Sequence, residues 1–261
     1  INEDNSIRLL YMGTSPTTSV GYIGYNVSYN IDYTSAKYYG YMYGEDTTLA
    51  TTRNNTTSSL YKEHIDYWYK NSLANDDKYI SKTAIYCNDR SIGSGTYAST
   101  GKYYAGGYTR LNTNKTPTYK CGGNGTGGLF ESSQNVADKF SVSTSSGGNG
   151  KLTYPAALMT ADEISFAGGL YGTEASTYFS VDANGNTYGN NWKTMTPCYG
   201  SGLKYMCSMR GKKLSTNTIT GINAIRPVIS LKACVKYSSG DGTSSNPYEV
   251  TIDDTCASAA N

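Results

Sequence analysis

The chain has 261 residues, 22 basic and 20 acidic side chains and a single histidine. It therefore carries no basic block for a nucleic-acid backbone and little from which to build a Cys/His zinc site. No apolar run approaches the roughly 20 residues that span a bilayer, and 27 tyrosines against 4 phenylalanines, with 29 glycines, point to strands joined by turns.

The first residues, INEDNSIRLLY, read directly as a strand, so a trimmed or truncated chain is expected rather than a signal peptide. Over 6–13, Ile7, Leu9 and Tyr11 alternate with Arg8, Leu10 and Met12, the pattern of a strand with one well-buried face. A Thr/Ser/Gly/Tyr region follows, with Tyr38, Tyr39, Tyr41 and Tyr43 close together. Tyrosine brings apolar area with a polar tip, so half of these are expected in the core and half on a recognition face.

The clearest helix spans 59–74, where Tyr61, Ile65, Trp68, Tyr69 and Leu73 share one face and Ser58 or Ser59 caps the start. His64 falls on this helix beside Glu63. With no second His or Cys nearby it reads as a surface or boundary residue, and Lys62, Glu63 and Asp66 read as a solvated face. At 87–90 the sequence CNDR ends a strand in a polar knot. Asp89 and Arg90 suit a loop clamp, with Asp89 accepting local backbone bonds and pairing with an arginine. No nucleophile or base joins them, which disfavours an active site.

Residues 93–150 are poor in large apolar side chains and are expected to form a long surface loop pinned by Cys121. The glycines at 122–128 lack the Lys-Ser/Thr and the strand–helix frame of a phosphate loop. Ala157, Leu158 and Met159 then suggest a short strand, and Thr160-Ala161-Asp162-Glu163 spells a capping box with Thr160 as the N-cap and Glu163 reaching back. The helix dipole accounts for Asp162 and Glu163 in the first turn, and Gly168-Gly169 stops the helix. Residues 178–188 read as a hairpin. Its Asp182, Asn184 and Asn186 fit turn chemistry better than an EF-hand, whose glycine and closing glutamate are misplaced or missing. The segment WKTMTP, 192–197, precedes a small loop between Cys198 and Cys207.

The stretch 223–250 closes the chain. Pro227 cannot donate to a sheet and suits the first residue of a strand or an edge; Val228, Ser230 and Lys232 alternate after it, and Ser239-Gly240-Asp241-Gly242 makes a turn. Arg226 enters a core boundary and is expected to stitch loops together, with a carboxylate such as Asp89 as its partner, rather than to catalyse. The six cysteines, Cys87, Cys121, Cys198, Cys207, Cys234 and Cys256, suit an oxidising compartment. Neighbour pairing is their simplest connectivity, each bridge contributing about 2–4 kcal/mol; free buried thiols are the alternative.

The helix at 59–73, the CNDR knot, LTYPAALMTADEISFAGG, WKTMTP and the ending IRPVISLK…SGDGTSSNPY resemble, over most of the chain, secreted proteins of Gram-positive (Bacillota-type) bacteria. Their order is also similar to a bacterial family related to the formylglycine-generating-enzyme/C-type-lectin-like fold. The resemblance implies an α+β, C-type-lectin-like mixed fold, strand- and loop-rich, with two short helices and disulfide staples. It implies one extracellular domain over 1–261, the globular part of a longer precursor, since some relatives carry a prepilin-like N-terminus. The calcium-binding triplets of sugar-binding lectins are absent, and no cysteine pair maps onto the catalytic pair of formylglycine-generating enzymes. Neither chemistry carries over.

A non-enzymatic extracellular surface protein is the expected function: a pilin-like filament subunit or an adhesin, without cofactor or metal. Its partner is then another copy of itself or a surface or glycan ligand, without nucleic acid. The alternative is a lectin-like carbohydrate-binding module with solvent-facing Tyr199 or Trp192. A hydrolase is the third reading. A Ser/His/Asp arrangement must then use His64, while paired carboxylates for glycoside hydrolysis are a matter of three-dimensional spacing.

Overall fold

Pro227 stands where one segment of chain passes from one sheet into another. The computed structural model describes residues 2, 5–13, 21–45, 48–52, 54–94, 103–119, 121, 137–143, 150–174, 191–201, 203–243 and 245–259. Within it Pro227–Leu231 is the central strand of a three-stranded antiparallel sheet, between Ile7–Leu10 and Ala156–Leu158. Just upstream, Asn223–Ile225 belongs to a larger sheet, antiparallel to Gly24–Val27 and parallel to Asn191–Ser201. That sheet continues through Leu203–Arg210 to Lys213–Thr218. Proline begins the second strand because it lacks the N–H that a continuous ladder would demand there. A third sheet pairs Tyr86–Asp89 with Ala137–Ser141 and Gly150–Lys151. The architecture is α+β, rich in strands, with few short helices and three disulfides.

The longest helix, Leu60–Ser72, starts where the Ser59 side chain accepts from the backbone N–H of Lys62 at 3.2 Å. Tyr61, Ile65 and Tyr69 recur at four-residue spacing and are buried, with Trp68 and Leu73 packed beside them. The core they join is built from phenols. Tyr29, Tyr39, Tyr41, Tyr61, Tyr69 and Tyr86 are all buried, alongside Phe140, Val228 and Ile225. A buried hydroxyl without a partner is costly, and backbone carbonyls meet most of that need. Tyr41 donates to the Ala156 carbonyl at 3.3 Å, Tyr86 to that of Pro155 at 2.7 Å, and Tyr39 to that of Tyr199. Of the cluster at 38–43, Tyr39, Tyr41 and Tyr43 are buried and Tyr38 is half-buried, so the expected division into core and exposed halves gives way to burial.

The first strand departs from its apolar pattern. Ile7 and Leu9 are 48% and 42% exposed, while Arg8 and Leu10 turn inward. Inside, the Arg8 guanidinium lies 4.1 Å from the Tyr86 ring centre, 3.2 Å from a Glu163 oxygen, and donates to the Ile85 carbonyl at 2.7 Å. These contacts hold the cation in and turn the apolar pair out. Lys62 is a second departure: it is buried and bonded to Asp66 at 2.5 Å, not part of a solvated face. Burial raises the Asp66 carboxyl above its usual range.

Residues 93–150 are not one loop. They hold the strand Tyr103–Ala105, a helical stretch from Gly106 to Asn114 and the strand Ala137–Ser141, and bury Arg110, Leu111 and Phe140. The glycines at 122–128 and the turn residues Asp182, Asn184 and Asn186 lie outside the described residues. The segment 191–201 is likewise a long strand. It pairs Tyr199 with Tyr205 in a hairpin that the Cys198–Cys207 bridge crosses, where a small loop was expected. The other bridges join Cys87 to Cys121 and Cys234 to Cys256. No helix among the described residues is long and apolar enough to cross a membrane.

Candidate functional site

Asp89 and Asp162 meet in the interior on one cation. Arg110, from the helical stretch after Tyr103–Ala105, donates through Nε and Nη2 to the two oxygens of Asp162 at 2.7 and 2.6 Å, and through Nη1 to Asp89 at 3.0 Å. The carboxylates also accept backbone N–H groups, Asp162 from Thr118 at 2.9 Å and Asp89 from Ser91 at 3.0 Å. All three side chains are buried. The two anions hold the Arg110 guanidinium above its ordinary range against the cost of burial. Asp89 thus accepts two of these hydrogen bonds and Asp162 three. Joined on Arg110, they lock the third sheet to the helix Ala161–Phe166.

Arg226 therefore does not pair with Asp89. Its Nε donates to the Tyr11 carbonyl at 3.4 Å, its Nη2 contacts the Met12 sulfur, and its guanidinium lies 5.1 Å from the Trp192 ring centre. The carboxylate was out of reach because Arg110 occupies it. Arg90 donates to the Thr52 carbonyl at 3.1 Å and to Asn55 Oδ1 at 2.9 Å, tying down a loop. Thr160 and Glu163 form the capping box, with Thr160 Oγ1 accepting from the Glu163 N–H at 3.0 Å and Glu163 Oε2 accepting from the Thr160 N–H at 2.7 Å. The other Glu163 oxygen takes Arg8, so one side chain caps a helix and anchors the first strand.

His64 is exposed on the helix surface and Trp192 is fully buried. Trp192 thus offers no face to a sugar. Among the described residues no three His, Cys, Asp or Glu side chains are grouped to hold a metal ion.

A second buried cation is treated quite differently. Lys193 follows Trp192 in a strand whose residues from 192 to 198 are all buried. Its Nζ donates to Asn223 Oδ1 at 2.6 Å and to the Gly221 carbonyl, and lies 5.7 Å from the Tyr61 ring centre. These are neutral groups. Burial without a compensating anion lowers the amine to about 7. Asn223 Oδ1 also accepts Asn217 Nδ2 at 3.0 Å, and the Tyr61 hydroxyl lies 3.4 Å from the Asn223 carbonyl. Gly221 closes this site: a Cβ there would fall 2.5 Å from Asn217 Oδ1.

On the surface the hairpin carries a run of rings. The strand register sets Tyr199 opposite both Tyr104 and Tyr205. Tyr199 and Tyr205 stack at 4.5 Å and Tyr104 and Tyr108 at 5.3 Å, while Tyr108 meets Tyr199 edge-on at 5.4 Å and Tyr171 at 5.5 Å. All five rings belong to half-buried residues, braced beneath by the Cys198–Cys207 bridge. Sequence reasoning marked Tyr199 but not its neighbours, since the five come together from four separate stretches. Arg110, Lys193 and Asn223 were also missed. For Lys193 local sequence carried no signal, since Lys193, Thr194 and Thr196 interleave with Trp192 and Met195 as they would on a strand with one wet face.

No family model, curated protein or solved structure matches this chain.

Proposed function

We propose that the chain is a non-enzymatic extracellular surface protein, a filament subunit or adhesin, that makes contact through its tyrosine face. The observation that carries this reading is the connected set Tyr104, Tyr108, Tyr171, Tyr199 and Tyr205. Such rings offer large rigid contact area with a polar tip at low entropic cost. Three disulfides fit an oxidising habitat, and the resemblance to the lectin-like family suggests a scaffold used for recognition. The partner is another copy of the chain or a surface ligand.

Sedimentation velocity and electron microscopy of the native protein test this, alongside the double variant Tyr108→Ser, Tyr199→Ser. Loss of self-association or surface adhesion in a variant with unchanged thermal unfolding is the expected result. Unaltered assembly and adhesion in that variant would remove the tyrosine face from the reading. The stacked rings also favour a second reading, carbohydrate binding without calcium, in which the sugar lies on Tyr104 or Tyr199. A glycan array probed with wild type and the same variant separates the two, because only this reading expects glycan signals that the variant abolishes.

A further inference from the structure

Lys193 and Asn223 stand on neighbouring parallel strands, one residue from the Trp192–Ala224 pair, with an amine and a carboxamide face to face in a buried site. The Nζ–Oδ1 separation is 2.6 Å and a C=O bond is about 1.23 Å, so Nζ lies no more than about 3.8 Å from the amide carbon. That approaches the roughly 3–3.5 Å of a near-attack arrangement. A neutral amine has two N–H groups, and the Gly221 carbonyl and Asn223 Oδ1 take both. Its lone pair carries no proton and meets the amide carbon once the N–H···Oδ1 bond gives way and Nζ turns toward Cγ. An ammonium would bring a third N–H for which no acceptor is seen among the described residues.

We infer that Lys193 and Asn223 condense into an intramolecular isopeptide bond. In this step Nζ attacks Cγ and the electron pair of the C=O bond moves onto Oδ1. Asn217 Nδ2 already donates to that oxygen at 3.0 Å and holds the developing negative charge. The carbonyl re-forms as the Cγ–Nδ2 bond breaks, and Nζ gives up a proton to the departing nitrogen, so ammonia leaves and a secondary amide remains. No oxidant, reductant or further reactant is needed. The exclusion of water keeps the carboxamide from hydrolysing and favours the neutral amine, while the strand pair supplies the proximity that an amide exchange lacks in solution.

Intact mass spectrometry of the reduced, denatured protein, with tandem spectra of its tryptic digest, tests the bond. The expected result is a mass about 17 Da below that of the sequence, because the lysine amine displaces the carboxamide nitrogen as ammonia. A branched peptide should join the fragments containing residues 193 and 223. Lys193→Arg and Asn223→Ala should each show the full mass of their own sequence. The sequence mass in wild type overturns the inference, whether or not the variants fold. So does a 17 Da loss with the two fragments separate, because cyclisation of an asparagine elsewhere loses ammonia too.

Discussion

Arg110 and Lys193 are both cations taken out of water, and the chain resolves the problem in opposite ways. Arg110 keeps its charge because Asp89 and Asp162 surround it with geometry that a guanidinium fork can match. Among the described residues Lys193 has neutral acceptors, Asn223 Oδ1 and the Gly221 carbonyl, so burial lowers the pH at which it gives up its proton. A matched charge makes a rigid joint, whereas an unmatched one makes a nucleophile. Burial alone thus says little about what a lysine or arginine does; the company on the far side of its hydrogen bonds decides it.

The sharpest way to break this contrast is Arg110→Ala, which strands two buried carboxylates. Urea unfolding should show a loss of about 3–5 kcal/mol, the cost of removing one partner from a buried pair. Lys193→Met keeps the apolar stem and strands no charge, so without a covalent link it should be nearly silent. With the link, it reopens a loop of 30 residues, and the loss should reach about 3–4 kcal/mol by the chain-entropy argument used for disulfides. A silent Lys193→Met would make the site merely a tolerated neutral amine.

The phenol core gives a pH test. Burial raises the hydroxyls of Tyr29, Tyr41, Tyr61 and Tyr86 above their ordinary value, while unfolded tyrosines ionise near pH 10. The unfolded state therefore releases protons first, so this stability is present below pH 10 and is lost as pH climbs toward the raised folded values. The slope approaches about 1.4 kcal/mol per pH unit for each such tyrosine only above pH 10, so urea unfolding at pH 9 and 11 should differ by about 1.4 kcal/mol per tyrosine. Stability that is flat across that interval would mean the phenols are wet. The smallest effect is expected from Tyr29→Phe. The Tyr29 hydroxyl is buried with no hydrogen-bond partner among the described residues, so its removal should change stability by less than about 1 kcal/mol, or raise it.

Some of this was readable from local sequence. Ser59 before the helix, Thr160 and Glu163 three apart, and Pro227 at a strand start are patterns of neighbouring residues, and the forces that make them act over one turn. The buried sites were not readable, because their members meet across long separations. Arg110 and Asp162 lie 52 residues apart, and nothing near either names the other. The first strand shows how a local pattern can mislead. Alternation reports that two faces differ, but the contacts of Arg8 with Tyr86 and Glu163 decide which face turns inward.

The passage from one sheet to the next at Arg226 and Pro227 also sets a timetable. Among the described residues the backbone ladder of the first strand runs to Val228–Leu231, and just before it Asn2 donates to Ser230, 228 positions away. A chain emerging from a ribosome must hold Ile7–Leu10 unpaired until Val228–Leu231 has appeared. Pairings this distant fold slowly and leave strands exposed meanwhile. A polypeptide so arranged stays threadable for most of this stretch, and its first sheet closes only once Pro227–Leu231 has arrived.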